Sequence, residues 1–136
     1  MKPVEIARQL NTSRQFVHLT LSAADAKVSD ILLDVARSNK IDVQILDVKK
    51  GILVGHHHGL GTRAVVSLSG KLGVQVWHWY ENLDACDACE QAYNCRDYLL
   101  VEAEELGVQI SDEERLMQPS KLARVLFSRL IPGLEP

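Results

Sequence analysis

The chain is short of the features that mark several broad protein classes. Its 136 residues hold only three cysteines, and an odd count does not suit the paired disulfide framework of a small secreted domain. No apolar run approaches the roughly 20 residues needed to cross a bilayer. The amphipathic start does not read as a secretory signal either, so a cytoplasmic location is expected. Positive charge is not in excess: 15 Lys and Arg against 18 Asp and Glu leave −3, which argues against a protein that coats nucleic acid indiscriminately. There is no H-x-x-x-H helix, no G-x-S-x-G elbow and no phosphate-binding glycine loop. Internal repeats, low-complexity tracts and a clear interdomain linker are also missing. What remains is ordinary for a globular protein, 46% hydrophobic and 24% charged. That suffices for one full core, or for one domain with a small appended module.

The most informative stretch is residues 3–22. Pro3 starts a short helix, Val4 to Leu10, where its missing N–H costs nothing. Ile6 and Leu10 share a face, and Ala7 lets a second helix approach closely. Asn11 tolerates the left-handed backbone of a tight turn. Thr12 and Gln15 have capping-box spacing, so a second helix is expected from Ser13. Glu5, Ile6, Ala7, Leu10, Ser13, Arg14, Val17 and Leu21 together form an "EIA..L..SR..V...L" string. This string resembles the helix-turn-helix of prokaryotic transcription regulators, over about the first fifth of the chain. The resemblance implies that Val17 and Leu21 pack inward, while Ser13, Arg14, Gln15 and His18 enter the major groove of double-stranded DNA. Arg14 suits guanine and Gln15 adenine. Lys2, Arg8 and Lys27 are placed for phosphates. Thr12 stands where such motifs carry an apolar residue, and no helix precedes the pair. An ordinary helical hairpin would need the same alanine, cap and apolar spacing. Charge is distributed accordingly, +2 over residues 1–40 and −5 over the rest, a mildly basic head on an acidic body.

Beyond the motif, Ala24, Val28, Ile31, Leu32 and Val35 recur at helical steps, predicting a helix from Ala23 to Ser38. It would support the reading head, pair with its copy in a dimer, or simply pack on the core of its own subunit. A β region follows: Ile41 to Val48, a turn at Lys49-Lys50-Gly51, then Ile52 to His57. After the Gly59-Leu60-Gly61 loop comes Arg63 to Ser69, with Ala64, Val66 and Leu68 alternating against Val65, Ser67 and Ser69. A turn over residues 70–73 leads to Val74 to Tyr80. The short connections predict an antiparallel meander. Helical period resumes near Glu90, with Leu99, Leu100, Ala103 and Leu106 as its stripe and Gly107 as its stop. A last helix, capped by Ser120, turns Leu122, Val125, Leu126, Leu130 and Ile131 inward and ends at Pro132-Gly133. The expected fold is α+β: a helix-turn-helix and connecting helix over 1–40, then a four-stranded sheet covered by C-terminal helices over 41–136.

All three cysteines fall within ten residues, Cys86, Cys89 and Cys95, a C-x2-C-x5-C arrangement. A C-x2-C pair presents two thiolates to one ion, and zinc takes four such ligands in a tetrahedron. For the fourth, a histidine suits a thiolate zinc site, with His78 favoured and the His56-His57-His58 run close behind; Asp84, Asp87 and Glu90 also flank the cysteines. An iron–sulfur cluster fits the same spacing and would make the protein a redox or iron sensor. Three reduced thiols, with Cys86 and Cys89 as a redox pair, form the metal-free alternative. Strand alternation lets at most His56 and His58 share a face. Trp77 and Trp79 share the face opposite His78, where they cover the sheet, wall a small-molecule pocket or meet a second subunit. The strand Gly73-Val74-Gln75-Val76-Trp77, followed by a cysteine run, resembles a portion of archaeal helix-turn-helix regulators, which adds support to the regulator class.

These readings converge on a non-enzymatic, sequence-specific transcriptional regulator. It is expected to be a homodimer on a two-fold operator, with a C-terminal metal site that holds the fold or senses the cell. A small-molecule or redox effector is compatible with it. The rival classes are a small metal-dependent enzyme built on the His and Cys residues, and a small-molecule binding module without DNA contact.

Overall fold

The computed structural model describes residues 14–79 and 92–134, with side chains described from residue 21 in the first stretch and from residue 94 in the second. The elements are α1 (Arg14–Ser38), β1 (Ile41–Asp47), β2 (Ile52–His57), β3 (Thr62–Ser69), β4 (Gly73–His78), α2 (Ala92–Glu105), a 3-10 turn (Glu114–Leu116) and α3 (Pro119–Leu130). The four strands form one antiparallel sheet in the order β1-β2-β3-β4. This is the α+β meander expected from the short Gly-containing connections.

The central strands read as unbroken apolar runs because both of their faces are covered. Leu53, Ala64 and Val66 join Leu32 and Ala36 of α1 on one face. Ile52, Val54 and Val65 join Leu99, Ala103, Leu122, Leu126 and Phe127 of α2 and α3 on the other. The alternation expected for β3 is therefore the partition of the core. Trp77 and Trp79 pack on the α2–α3 side, the face opposite His78, and so help cover the sheet. Gly51 takes φ 69° in the β1–β2 turn and Gly107 takes φ 71° after α2, both where turn and stop were expected. Lys50 donates from that turn to the Leu130 carbonyl at the end of α3, 2.5 Å away, where a cation also suits the helix dipole.

Two helix boundaries differ from expectation, and β1 and β4 end early, at Asp47 and His78. The expected recognition helix and the helix from Ala23 are one continuous 25-residue helix, α1. Residues 14–38 contain neither glycine nor proline, and Ala23, Ala24 and Ala26 are strong helix formers, so nothing stops the helix at Ser22. The C-terminal half of α1 packs on the sheet of its own subunit through Leu32 and Ala36. The last helix begins at Pro119, behind an N-cap Gln118 that makes no side-chain capping bond, so Ser120 lies inside it rather than capping it. Proline wins the first-turn position because its missing N–H has no intrahelical partner there. The hairpin Val4–Leu10, the turn at Asn11 and Tyr80 lie outside the described residues.

The pairing of β1 with β2 shifts register between Val43 and Ile45, opposite Gly55. A Cβ at Gly55 would come within 2.2 Å of the Asp42 carbonyl oxygen and 2.6 Å of Ile41 Cγ2. The strands can approach this closely only over a glycine. Gly55→Ala should lower unfolding free energy by about 3 kcal/mol, the upper range of overpacking. Gly61→Ala, where φ is 62° but nothing lies within 4 Å, should cost about 1 kcal/mol from backbone strain alone. Urea denaturation of both variants checks the ordering.

Candidate functional site

The sheet has two chemically different ends. One is the hairpin end, formed by the turns after β1 and β3. The other is the histidine end, where β1 starts and β2 and β4 finish.

At the hairpin end, α1 outruns the sheet. Lys49 pairs with Asp25 at 2.5 Å, which marks where the helix crosses the β1–β2 turn. Residues 14–24 stand beyond that point, roughly 16 Å of helix at the usual rise. Ser22, Ala23, Ala24, Ala26 and Lys27 are exposed, whereas Leu32 and Ala36 further along are buried. Arg14, Gln15 and His18 are on this overhanging part by backbone position. Lys2, Arg8 and Ser13 lie outside the described residues.

At the histidine end, strand register sorts the side chains. Asp42 pairs with His56 across β1 and β2, and His56 with Arg63 across β2 and β3. Asp42, His56 and Arg63 therefore share the α2–α3 face. His58, just past β2, reaches back to this group. Its Nε2 contacts the Asp42 carboxylate, and its ring lies edge-on to His56 with centroids 5.7 Å apart, the shared direction expected for this pair. His57 turns to the α1 face and meets His78 edge-on, centroids 5.5 Å apart. Burial, and after it the neighbouring His57, lowers the pKa of His78. Asp42 completes the histidine group from another strand, a partner that spacing along the chain conceals.

Cys95 belongs to the inward stripe of α2 that continues through Leu99 and Glu102, and it is partly buried. Glu102 bonds Ser67 and Glu105 bonds Ser69, so α2 runs in the direction of β3. Seven residues of helix before Glu102, about 10 Å, correspond to about three residues of strand before Ser67. Cys95 thus stands near the level of Arg63 and Ala64, at the histidine end. His78 reaches the same end on the opposite face, so one ion touching both must sit past the end of the sheet. Cys86 and Cys89 lie outside the described residues. Among the described residues, no three His, Cys, Asp or Glu side chains stand close enough to hold a metal.

One buried titratable group lies outside the motifs of the sequence. Glu102 is 1% exposed, inside the apolar stripe of α2. Its Oε1 accepts a hydrogen bond from the Ser67 hydroxyl at 2.8 Å, and its Oε2 has no partner among the described residues. Burial pushes the carboxyl up to about 7; the Ser67 hydrogen bond opposes the rise and nearby Glu105 adds to it. The signal was available: Glu102 is three residues from Leu99 and four from Leu106, on the buried face. By contrast, Glu114 at the surface is held down to about 2, first by its Arg129 hydrogen bonds and then by the Ser111 backbone N–H.

Because the folded Glu102 holds its proton more tightly than the unfolded chain does, stability from this group is full below pH 4.5. It is lost as pH rises toward 7. Glu102→Gln keeps the Ser67 bond and removes the ionisation. The stability of the wild type relative to this variant should fall by about 3 kcal/mol across that window, as read by denaturant titrations at a series of pH values.

Among the described residues, no helix is long and apolar enough to cross a membrane. No protein-family model, curated protein or solved structure matches this chain.

Proposed function

We propose that the protein is a sequence-specific DNA-binding transcriptional regulator whose reading head is the overhanging first half of α1 with the residues before it. The observation that carries this reading is the exposed run of α1 beyond the sheet. A helix that only completed a core would end with the strands it covers. This one continues past the Lys49–Asp25 pair, and by backbone position that continuation includes Arg14, Gln15 and His18. Preceded by the Glu5-Ile6-Ala7…Leu10 pattern, that arrangement suits a helix laid in a major groove. Ser13, Arg14, Gln15 and His18 would read bases, and Lys2, Arg8 and Lys27 would hold phosphates. The partners are double-stranded DNA and a second copy of the chain. Catalysis is not assigned to the histidines: His58 and Asp42, at the rim of an open groove between α1 and β1, have side chains 65% and 66% exposed, so neither is desolvated there.

The reading includes a zinc ion held by Cys86, Cys89, Cys95 and His78, with an iron–sulfur cluster as the alternative. The donor set suits either, and Cys95 and His78 come to the same end of the sheet. Such a metal would tie the chain after β4 to the start of α2 and so brace the α2 layer. The metal end and the reading head lie at opposite ends of α1, so any signal between them would travel along that helix.

The reading is tested by selecting duplexes from a random library and titrating the chosen sequence at several salt concentrations. Binding should weaken linearly in log salt. Arg14→Ala should reduce affinity by about ten- to a hundredfold, with the circular dichroism spectrum unchanged. Selection of no sequence above non-specific background would end the DNA reading. Separately, elemental analysis of the purified protein should find one zinc per chain, sharply reduced in Cys95→Ser; a coloured preparation containing iron would establish the cluster instead.

A further inference from the structure

We propose that two copies of this chain join through β1, strand to strand and antiparallel, extending two four-stranded sheets into one of eight. β1 is an edge: β2 lies on one side of it, and no described strand lies on the other. Exposed edges are normally blunted by lysine, proline or inward charge. The strand Ile-Asp-Val-Gln-Ile-Leu-Asp has neither lysine nor proline; its charges are Asp42 and Asp47, and it carries one irregularity, between Val43 and Ile45. Three of its apolar side chains are open, Val43 at 44%, Ile45 at 37% and Leu46 at 36%. The register puts Val43 and Leu46 on the α1 face and Ile45 on the other, because the shift at Gln44 reverses the alternation. Apolar surface therefore flanks the open backbone on both sides. At the opposite edge, Val74, Val76 and Trp77 of β4 are partly buried against the helix layers.

The charge pattern selects a second copy as the occupant. Lys40 stands immediately before β1 and Asp47 closes it. Antiparallel pairing sets the start of one strand beside the end of its mate. Lys40 then lies near Asp47 of the partner subunit, and the two-fold axis repeats the pair. Parallel pairing would oppose lysine to lysine. Rim ion pairs of this kind contribute little affinity but choose orientation; the three apolar side chains and the backbone hydrogen bonds supply the attraction. The pairing needs no DNA and does not depend on the DNA-binding reading.

Sedimentation equilibrium of the full chain, without DNA, tests this. The wild type should be dimeric in the micromolar range. Ile45→Lys and Val43→Lys should each weaken the dimer about tenfold or more, with circular dichroism retained; Ile45→Thr replaces the lysine variant if that does not fold. Lys40→Asp and Asp47→Lys should each weaken the dimer, and the double exchange should restore it, with Asp47→Asn as the reference for the turn, since Asp47 also accepts the Lys50 backbone N–H. A monomeric wild type overturns the proposal. So does a dimer indifferent to Val43 and Ile45, which would place the interface elsewhere, or a double exchange no better than either single change.

Discussion

Two-sided burial of β2 and β3 governs the architecture. Ile52, Leu53 and Val54, and beside them Ala64, Val65 and Val66, are 0–1% exposed. A strand buried on both faces needs apolar cover above and below. The chain supplies α1 above and the α2–α3 pair below. Removing either layer would return a whole face of the central strands to water, at about 25 cal/mol for every Å² of apolar surface. Among the described residues β1 has no such cover on its full width, which is why it keeps three large apolar side chains partly open.

This layering also separates the chemistry. The meander turns collect at one end and the strand termini with their histidines at the other. α1 links them as a single helix, packed on the sheet through Leu32 and Ala36 and crossing the β1–β2 turn at the Lys49–Asp25 pair. The buried Glu102 sits on the inner face of α2, where an oxygen without a partner among the described residues is tolerable because burial keeps the carboxyl protonated up to about 7. That group belongs to the packing of α2 rather than to either end.

Local patterns made much of this legible. The β2 limits, the turn at Gly51, the two faces of β3 and the stop at Gly107 follow from β-branching, alternation and glycine. Less legible was the length of α1. The helix-turn-helix resemblance suggested a break near Ser22, yet the run through Ala26 contains no residue able to impose one. The cap of α3 was misassigned because Ser120 is a good capping residue, while Pro119, one position earlier, is the better first-turn residue.

Among the described residues, residue order along the chain already indicated most of the helices and strands and how the strands alternate; it also shows where the cysteines and histidines cluster. All of these depend on neighbours within a few positions. Tertiary contact alone decided that Asp42 meets His58, that Cys95 and His78 reach the sheet from opposite faces, that Glu102 finds Ser67, and that β1 is left as an edge. The two contacts among these, Asp42–His58 and Ser67–Glu102, join groups sixteen and thirty-five positions apart. Such distances are set by which faces of the sheet must be covered, and no local pattern records that requirement.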